Sequence, residues 1–140
     1  MLQGFSTVNY FVDDVARATQ WYAELLGFEP YFVRPDIDNP AYTEFRIGPH
    51  RHELGLISSA YRPDGMAGGS GSVTVYWQVE DVAAAQRRLV GRGATLLEQP
   101  VDRGAGWVTA SVVDPFGNVL GLMHSPVAAA AVADAGNGVR

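Results

Sequence analysis

Apolar and polar side chains alternate from Phe5, and the alternation predicts a strand through Val12. Val8, Tyr10 and Val12 lie on one face and Phe5, Thr7, Asn9 and Phe11 on the other. Asp13 or Asp14 then suits a helix N-cap, and Val15, Ala18, Trp21, Tyr22, Leu25 and Leu26 recur at helical spacing up to Gly27, a residue suited to a left-handed C-terminal position. The helical stripe is expected to cover Val8, Tyr10 and Val12. Strands follow at Phe28 to Arg34, Tyr42 to Ile47 and His52 to Ser58, broken by Pro35-Asp36 and Gly48-Pro49.

The same order then recurs. Val73, Val75, Trp77 and Val79 alternate with Ser72, Thr74, Tyr76 and Gln78, and a helix from about Asp81 is expected to bury Val82, Ala85, Leu89 and Val90 before it ends at Gly93. Further strands are predicted at Ala94 to Glu98, Trp107 to Val113 and Asn118 to His124. Asp114-Pro115-Phe116-Gly117-Asn118 forms the turn between the last two. Val12-Asp13-Asp14-Val15 matches Val79-Glu80-Asp81-Val82 at an offset of 67, and Leu54-Gly55-Leu56 matches Leu120-Gly121-Leu122 at 66. One unit is therefore used twice.

The organisation is thus a first βαβββ module over residues 1–58, a Gly, Pro and Ser-rich linker over 59–71, a second module over 72–125 and an alanine-rich tail over 126–140. The fold class is α+β. A helix covers only one face of each four-stranded sheet, so the economical solution is two curled mixed sheets around a shared, open, barrel-like cleft lined by the faces without helices. Thr7, Asn9, Phe11, Glu53, Gly55 and Ile57 line it from the first module. Thr74, Tyr76, Gln78, Val119, Gly121 and Met123 do so from the second.

Composition removes several chemistries. The 140-residue chain has no cysteine, which excludes disulfides, thiolate ligands and thiol nucleophiles. All ten basic residues are arginine, so no lysine amine is present to form a Schiff base. Net charge is −5 with the arginines scattered, which argues against nucleic acid as a partner. No apolar run approaches a membrane span and the N-terminus lacks the regions of a secretory signal, so a cytoplasmic protein is expected.

The doubled helix starts, Trp21-Tyr22 followed by Leu26-Gly27-Phe28, and Asp114-Pro115-Phe116-Gly117-Asn118-Val119-Leu120-Gly121 resemble the vicinal oxygen chelate superfamily. That group holds glyoxalase I, extradiol dioxygenases and bleomycin-resistance proteins, and the resemblance runs from Phe5 to Ser125. It implies fold more than activity, because this fold hosts isomerases, dioxygenases, lyases and non-catalytic binders. Metal-dependent members place His or Gln five residues before the valine closing each first strand, and Glu or His in each last strand. Carried onto this chain, those positions are Thr7, Thr74, Gly55 and Gly121, which offer neither imidazole nor carboxylate. The resemblance therefore implies a metal-free branch with no cofactor.

Three functional readings stand at this point. In the first, the protein sequesters an aromatic or amphipathic organic molecule, as bleomycin-resistance proteins do. Phe11, Tyr42, Tyr76 and Trp107 supply stacking, Asn9, Gln78, Thr7 and Thr74 supply hydrogen bonds, Ile57 and Met123 supply apolar walls, and Gly55 and Gly121 leave space. In the second, a metal-free isomerase or lyase uses Glu53, the one inward carboxylate expected, as a base of raised pKa, with Tyr76 as donor to an oxyanion. The third is a scaffold without a ligand. A homodimer is expected because small curled sheets leave edges to cover.

Overall fold

The computed structural model describes residues 1–66 and 73–138, so Ser72 and the linker positions 67–71 lie outside the described residues. Two compact units are present, the first ending at Met66. Each contains a four-stranded mixed sheet, and neither sheet closes into a barrel.

In the first unit β1 (Thr7–Val12), α1 (Val15–Leu26), β2 (Phe32–Arg34), β3 (Tyr42–Ile47) and β4 (His52–Ser58) follow in order, then a 3₁₀ turn at Ser59–Tyr61. The strand order is β1-β4-β3-β2, with β1 parallel to β4 and the remaining pairs antiparallel. Asp14 caps α1 by accepting the Arg17 N–H at 3.0 Å, and Gly27 closes it at φ 86°, a left-handed conformation that glycine adopts without strain. Val15, Ala18, Tyr22 and Ala23 are buried on α1, and Tyr22 packs 6.2 Å from Tyr10 between ring centroids. Tyr22, Phe45 and Leu56 are fully buried in this core, each contributing roughly 1.5–3 kcal/mol. β2 is shorter than the sequence suggests. Pro30 lacks the N–H that a longer strand needs.

The second unit runs β5 (Val75–Gln78), α2 (Val82–Gly91), β6 (Thr95–Gly104), β7 (Trp107–Val113), β8 (Val119–His124) and α3 (Pro126–Gly138), in sheet order β5-β8-β7-β6. β5 starts later than expected, at Val75, which pairs with Leu120 of β8. β6 runs past Pro100 to Gly104 at the sheet edge, with register shifts along it, where a missing N–H is tolerated. Asp81 caps α2 through the Ala84 N–H at 2.9 Å. Val90, expected in the core, is exposed, and Gln86 is buried instead beside Val82 and Leu89. The turn is held by Asp114, whose carboxylate accepts N–H bonds from Phe116 at 2.9 Å and Asn118 at 2.8 Å. The tail segment forms the helix α3.

Candidate functional site

The pleat of the first sheet sorts its side chains into two sets. Tyr10, Val12, Thr43, Phe45, Leu54 and Leu56 are buried on the helix side, where the hydroxyls of Thr43 and Thr19 of α1 meet at 2.8 Å. The opposite face is built in rows across the strands. Thr7, Glu53 and Arg46 share one row, Asn9, Gly55, Glu44 and Phe32 the next, and Phe11, Ile57, Tyr42 and Arg34 the third.

A polar cluster fills the first two rows. The phenols of Tyr31 and Tyr42 both donate to the Glu44 carboxylate, which is 8% exposed. Glu53 accepts from the Thr7 hydroxyl at 3.1 Å and from Arg46 Nε at 3.4 Å, and the Arg46 guanidinium lies 4.0 Å from the Tyr31 ring centroid. Burial and then the bond to Glu44 push the Tyr42 phenol well above its ordinary pKa. The bond to Glu44 also raises that of Tyr31, with a smaller part from burial. Glu53 moves the other way. The Thr7 hydroxyl holds its carboxyl below the usual range, helped by Arg46 and opposed by burial.

Two sequence expectations are corrected here. Glu53 is not the one carboxylate on this face, because Glu44 shares it and is more deeply buried. Nor is Glu53 a base of raised pKa, since hydroxyl and guanidinium donors stabilise its charged form. The signal for Glu44 was present: strand alternation puts it on the face of Tyr42, two residues earlier.

The third row borders a pocket of about 580 Å³ lined by Arg34, Pro35, Ala41, Tyr42, Ile57 and Tyr61. Sequence reasoning found Tyr42 and Ile57 and missed Arg34 and Tyr61, which stand at a strand end and in the turn after β4. Phe11, at the far end of the row, lies under the Arg62 guanidinium at 5.2 Å from its ring centroid.

In the second sheet, Tyr76 shares a row with Gly121 and Ser111, and Gln78 shares one with Met123 and Thr109, so these residues lie on the face of Trp107, two positions before Thr109. Thr74 also stands over Gly121. Gln78 is committed to structure. Its Oε1 accepts the Ser125 N–H at 2.9 Å and its Nε2 donates to the Val79 carbonyl at 3.3 Å.

The space expected above the paired glycines is not there. A Cβ on Gly55 would meet the Asn9 side chain and stand 2.7 Å from the Tyr42 hydroxyl, and one on Gly121 would stand 2.6 Å from Tyr76 Cδ1 and 2.9 Å from Thr74 Cγ2. Each glycine instead lets side chains of its own module close over the sheet. The same geometry bears on the positions carried over from metal-dependent relatives. The Thr7 hydroxyl donates a hydrogen bond to Glu53, Thr74 offers neither imidazole nor carboxylate, and Gly55 and Gly121 bring no ligand and are roofed by neighbours, so the set does not fit a divalent metal. Among the described residues no three His, Cys, Asp or Glu side chains are grouped for one.

This chain belongs to the Glyoxalase/Bleomycin resistance protein/Dioxygenase superfamily, whose family model matches residues 4–122. Its fold is similar to that of a glyoxalase-related enzyme from Fulvimarina pelagi, at 23% identity and a TM-score of 0.71, covering 90% of this chain and 91% of that one. A superfamily member from Sphaerobacter thermophilus DSM 20745 is 22% identical with a TM-score of 0.68, over 89% and 98% of the two chains. TioX from Micromonospora sp. ML1 is 19% identical with a TM-score of 0.64, over 86% and 98%. No curated protein matches the chain.

Proposed function

We propose that the protein is a metal-independent binder of an aromatic or amphipathic organic molecule, of the bleomycin-resistance type. The observation that carries this reading is the pocket walled by Tyr42, Ile57 and Tyr61 on the face of the first sheet opposite α1. Its size and aromatic lining suit an organic ligand. Glu53, with its lowered pKa and three neighbouring polar groups, is poorly matched to proton abstraction, which favours binding over the isomerase or lyase reading.

A thermal-shift screen of aromatic compounds, followed by calorimetry on Ile57→Ala, tests it. Hits that are recovered chemically unchanged and weakened by the substitution are expected. A hit that is converted to product would favour an enzyme, and a screen without hits would favour a scaffold. Elemental analysis of protein purified without chelator checks metal independence, which one tightly held transition metal per chain would overturn.

A homodimer belongs to the same proposal, since each sheet leaves two edge strands, β1 and β2 or β5 and β6. Light scattering should give twice the 15.1 kDa chain mass. No nucleic acid or membrane partner is proposed: net charge is −5, and no helix among the described residues is long and apolar enough to cross a membrane.

A further inference from the structure

We propose that Arg34 is an anion anchor and that the ligand of this pocket is a planar aromatic carboxylate. The inference rests on the binding reading above and narrows it to a ligand class.

Arg34 ends the row that runs Phe11, Ile57, Tyr42, Arg34 across the whole sheet. Two strand spacings separate Ile57 from Arg34 within the pocket lining, about 10 Å between backbones, a span that suits two fused or linked rings. Tyr42, Ile57 and Tyr61 provide flat and apolar walls for those rings, and Arg34 stands at the end of the row as the cation of the pocket lining.

The charges on this face differ in how they are used. Arg46 is paired with Glu53 at 3.4 Å. Glu44 accepts hydrogen bonds from both phenols, and Asp36, just beyond Pro35, accepts the backbone N–H groups of Asp38 at 3.1 Å and Asn39 at 2.8 Å. Arg34 has no carboxylate within ion-pair distance among the described residues. Its guanidinium lies 5.5 Å from the Phe32 ring centroid, an arrangement that steadies the side chain and leaves its N–H groups for an incoming acceptor.

A carboxylate matches this anchor better than a phosphate. One planar guanidinium binds one carboxylate through two parallel N–H bonds. A dianionic phosphate calls for more donors than a single fork supplies. It would also meet the field of Glu44 in the adjacent row, and of Glu53 in the row beyond it, in a chain carrying net charge −5.

The test uses three probes of one shape and different charge: 2-naphthoate, 2-naphthamide and 2-naphthylmethylammonium, titrated calorimetrically into the full chain and its Arg34→Gln and Arg34→Lys variants. Naphthoate is expected to bind about tenfold tighter than naphthamide, with the ammonium weakest. Arg34→Gln should bring naphthoate down to naphthamide, and Arg34→Lys should keep part of the preference. Equal affinities for naphthoate and naphthamide in the unsubstituted protein, or an equal loss of both in Arg34→Gln, would overturn the anchor while leaving the binding face standing. Failure of all three probes to bind would overturn both.

Discussion

The ring of Tyr76 lies directly over the backbone of Gly121, with Cδ1 2.6 Å from the point a Cβ would occupy. Gly55 is covered by the Asn9 side chain and, from a diagonal position on β3, by the Tyr42 ring, so in both modules glycine admits an aromatic side chain to the sheet surface. Gly121→Leu is therefore expected to destabilise the protein by about 1–3 kcal/mol through overpacking. Gly121→Ala should cost less, and pairing it with Tyr76→Ala should recover most of that smaller loss. Urea melts of the four proteins form the cycle. An additive double variant would show that Tyr76 is not what requires the glycine.

Tyr42 gives Glu44 one of its two phenol donors, and Tyr42→Phe removes it while the carboxylate stays buried. The expected loss is about 1–3 kcal/mol near neutral pH, read from chemical denaturation. An alkaline limb accompanies it. Because the folded phenol titrates well above its unfolded value of 10.0, the unfolded chain loses this proton first as pH rises, and stability falls above that pH. Tyr42→Phe should flatten the fall. An unchanged alkaline limb in that variant would assign the effect to other groups.

The Glu53 carboxyl is held low chiefly by the Thr7 hydroxyl. Thr7→Val keeps the shape and removes the donor, so the Glu53 midpoint should move upward in a carbon-detected NMR titration. The sign for stability follows from the depressed folded value. The contribution of Glu53 is present above its unfolded pKa and lost as pH falls through the folded one, and Thr7→Val should shift that acid loss to higher pH. A midpoint that stays where it was would give the role to Arg46.

Much of this fold was legible because its signals are local. Asp14 and Asp81 cap their helices through N–H groups three residues on, and the repeat of Val-Asp-Asp-Val as Val-Glu-Asp-Val exposed both modules at once. What escaped depends on partners far along the chain. β5 takes its register from β8, and Gly55 is covered by Asn9 of β1 and by Tyr42 of β3. Gly55 and Gly121 are covered by neighbouring side chains where the sequence suggests open space. A sequence shows which side chain is missing and not which neighbour takes its place.

Gln86 illustrates the same limit, since helical spacing favours Val90 for the core and the structure buries Gln86 at 4% exposure. Its Nε2 donates to the carbonyls of Glu98 at 2.7 Å on β6 and Ser111 at 3.1 Å on β7, joining helix and sheet edge. Gln86→Leu preserves volume and leaves the Ser111 and Glu98 carbonyls without that donor, a loss of about 1–3 kcal/mol. Gln86→Glu should cost more at neutral pH, because it sets a buried carboxylate against two carbonyl oxygens. It should also behave differently with pH. Protonation restores a donor, so the deficit of Gln86→Glu relative to the unsubstituted protein should shrink as the solution is acidified, while that of Gln86→Leu should stay constant. Parallel pH profiles of the two variants, measured by urea denaturation, would rule out the carbonyl contacts as the reason this position holds glutamine.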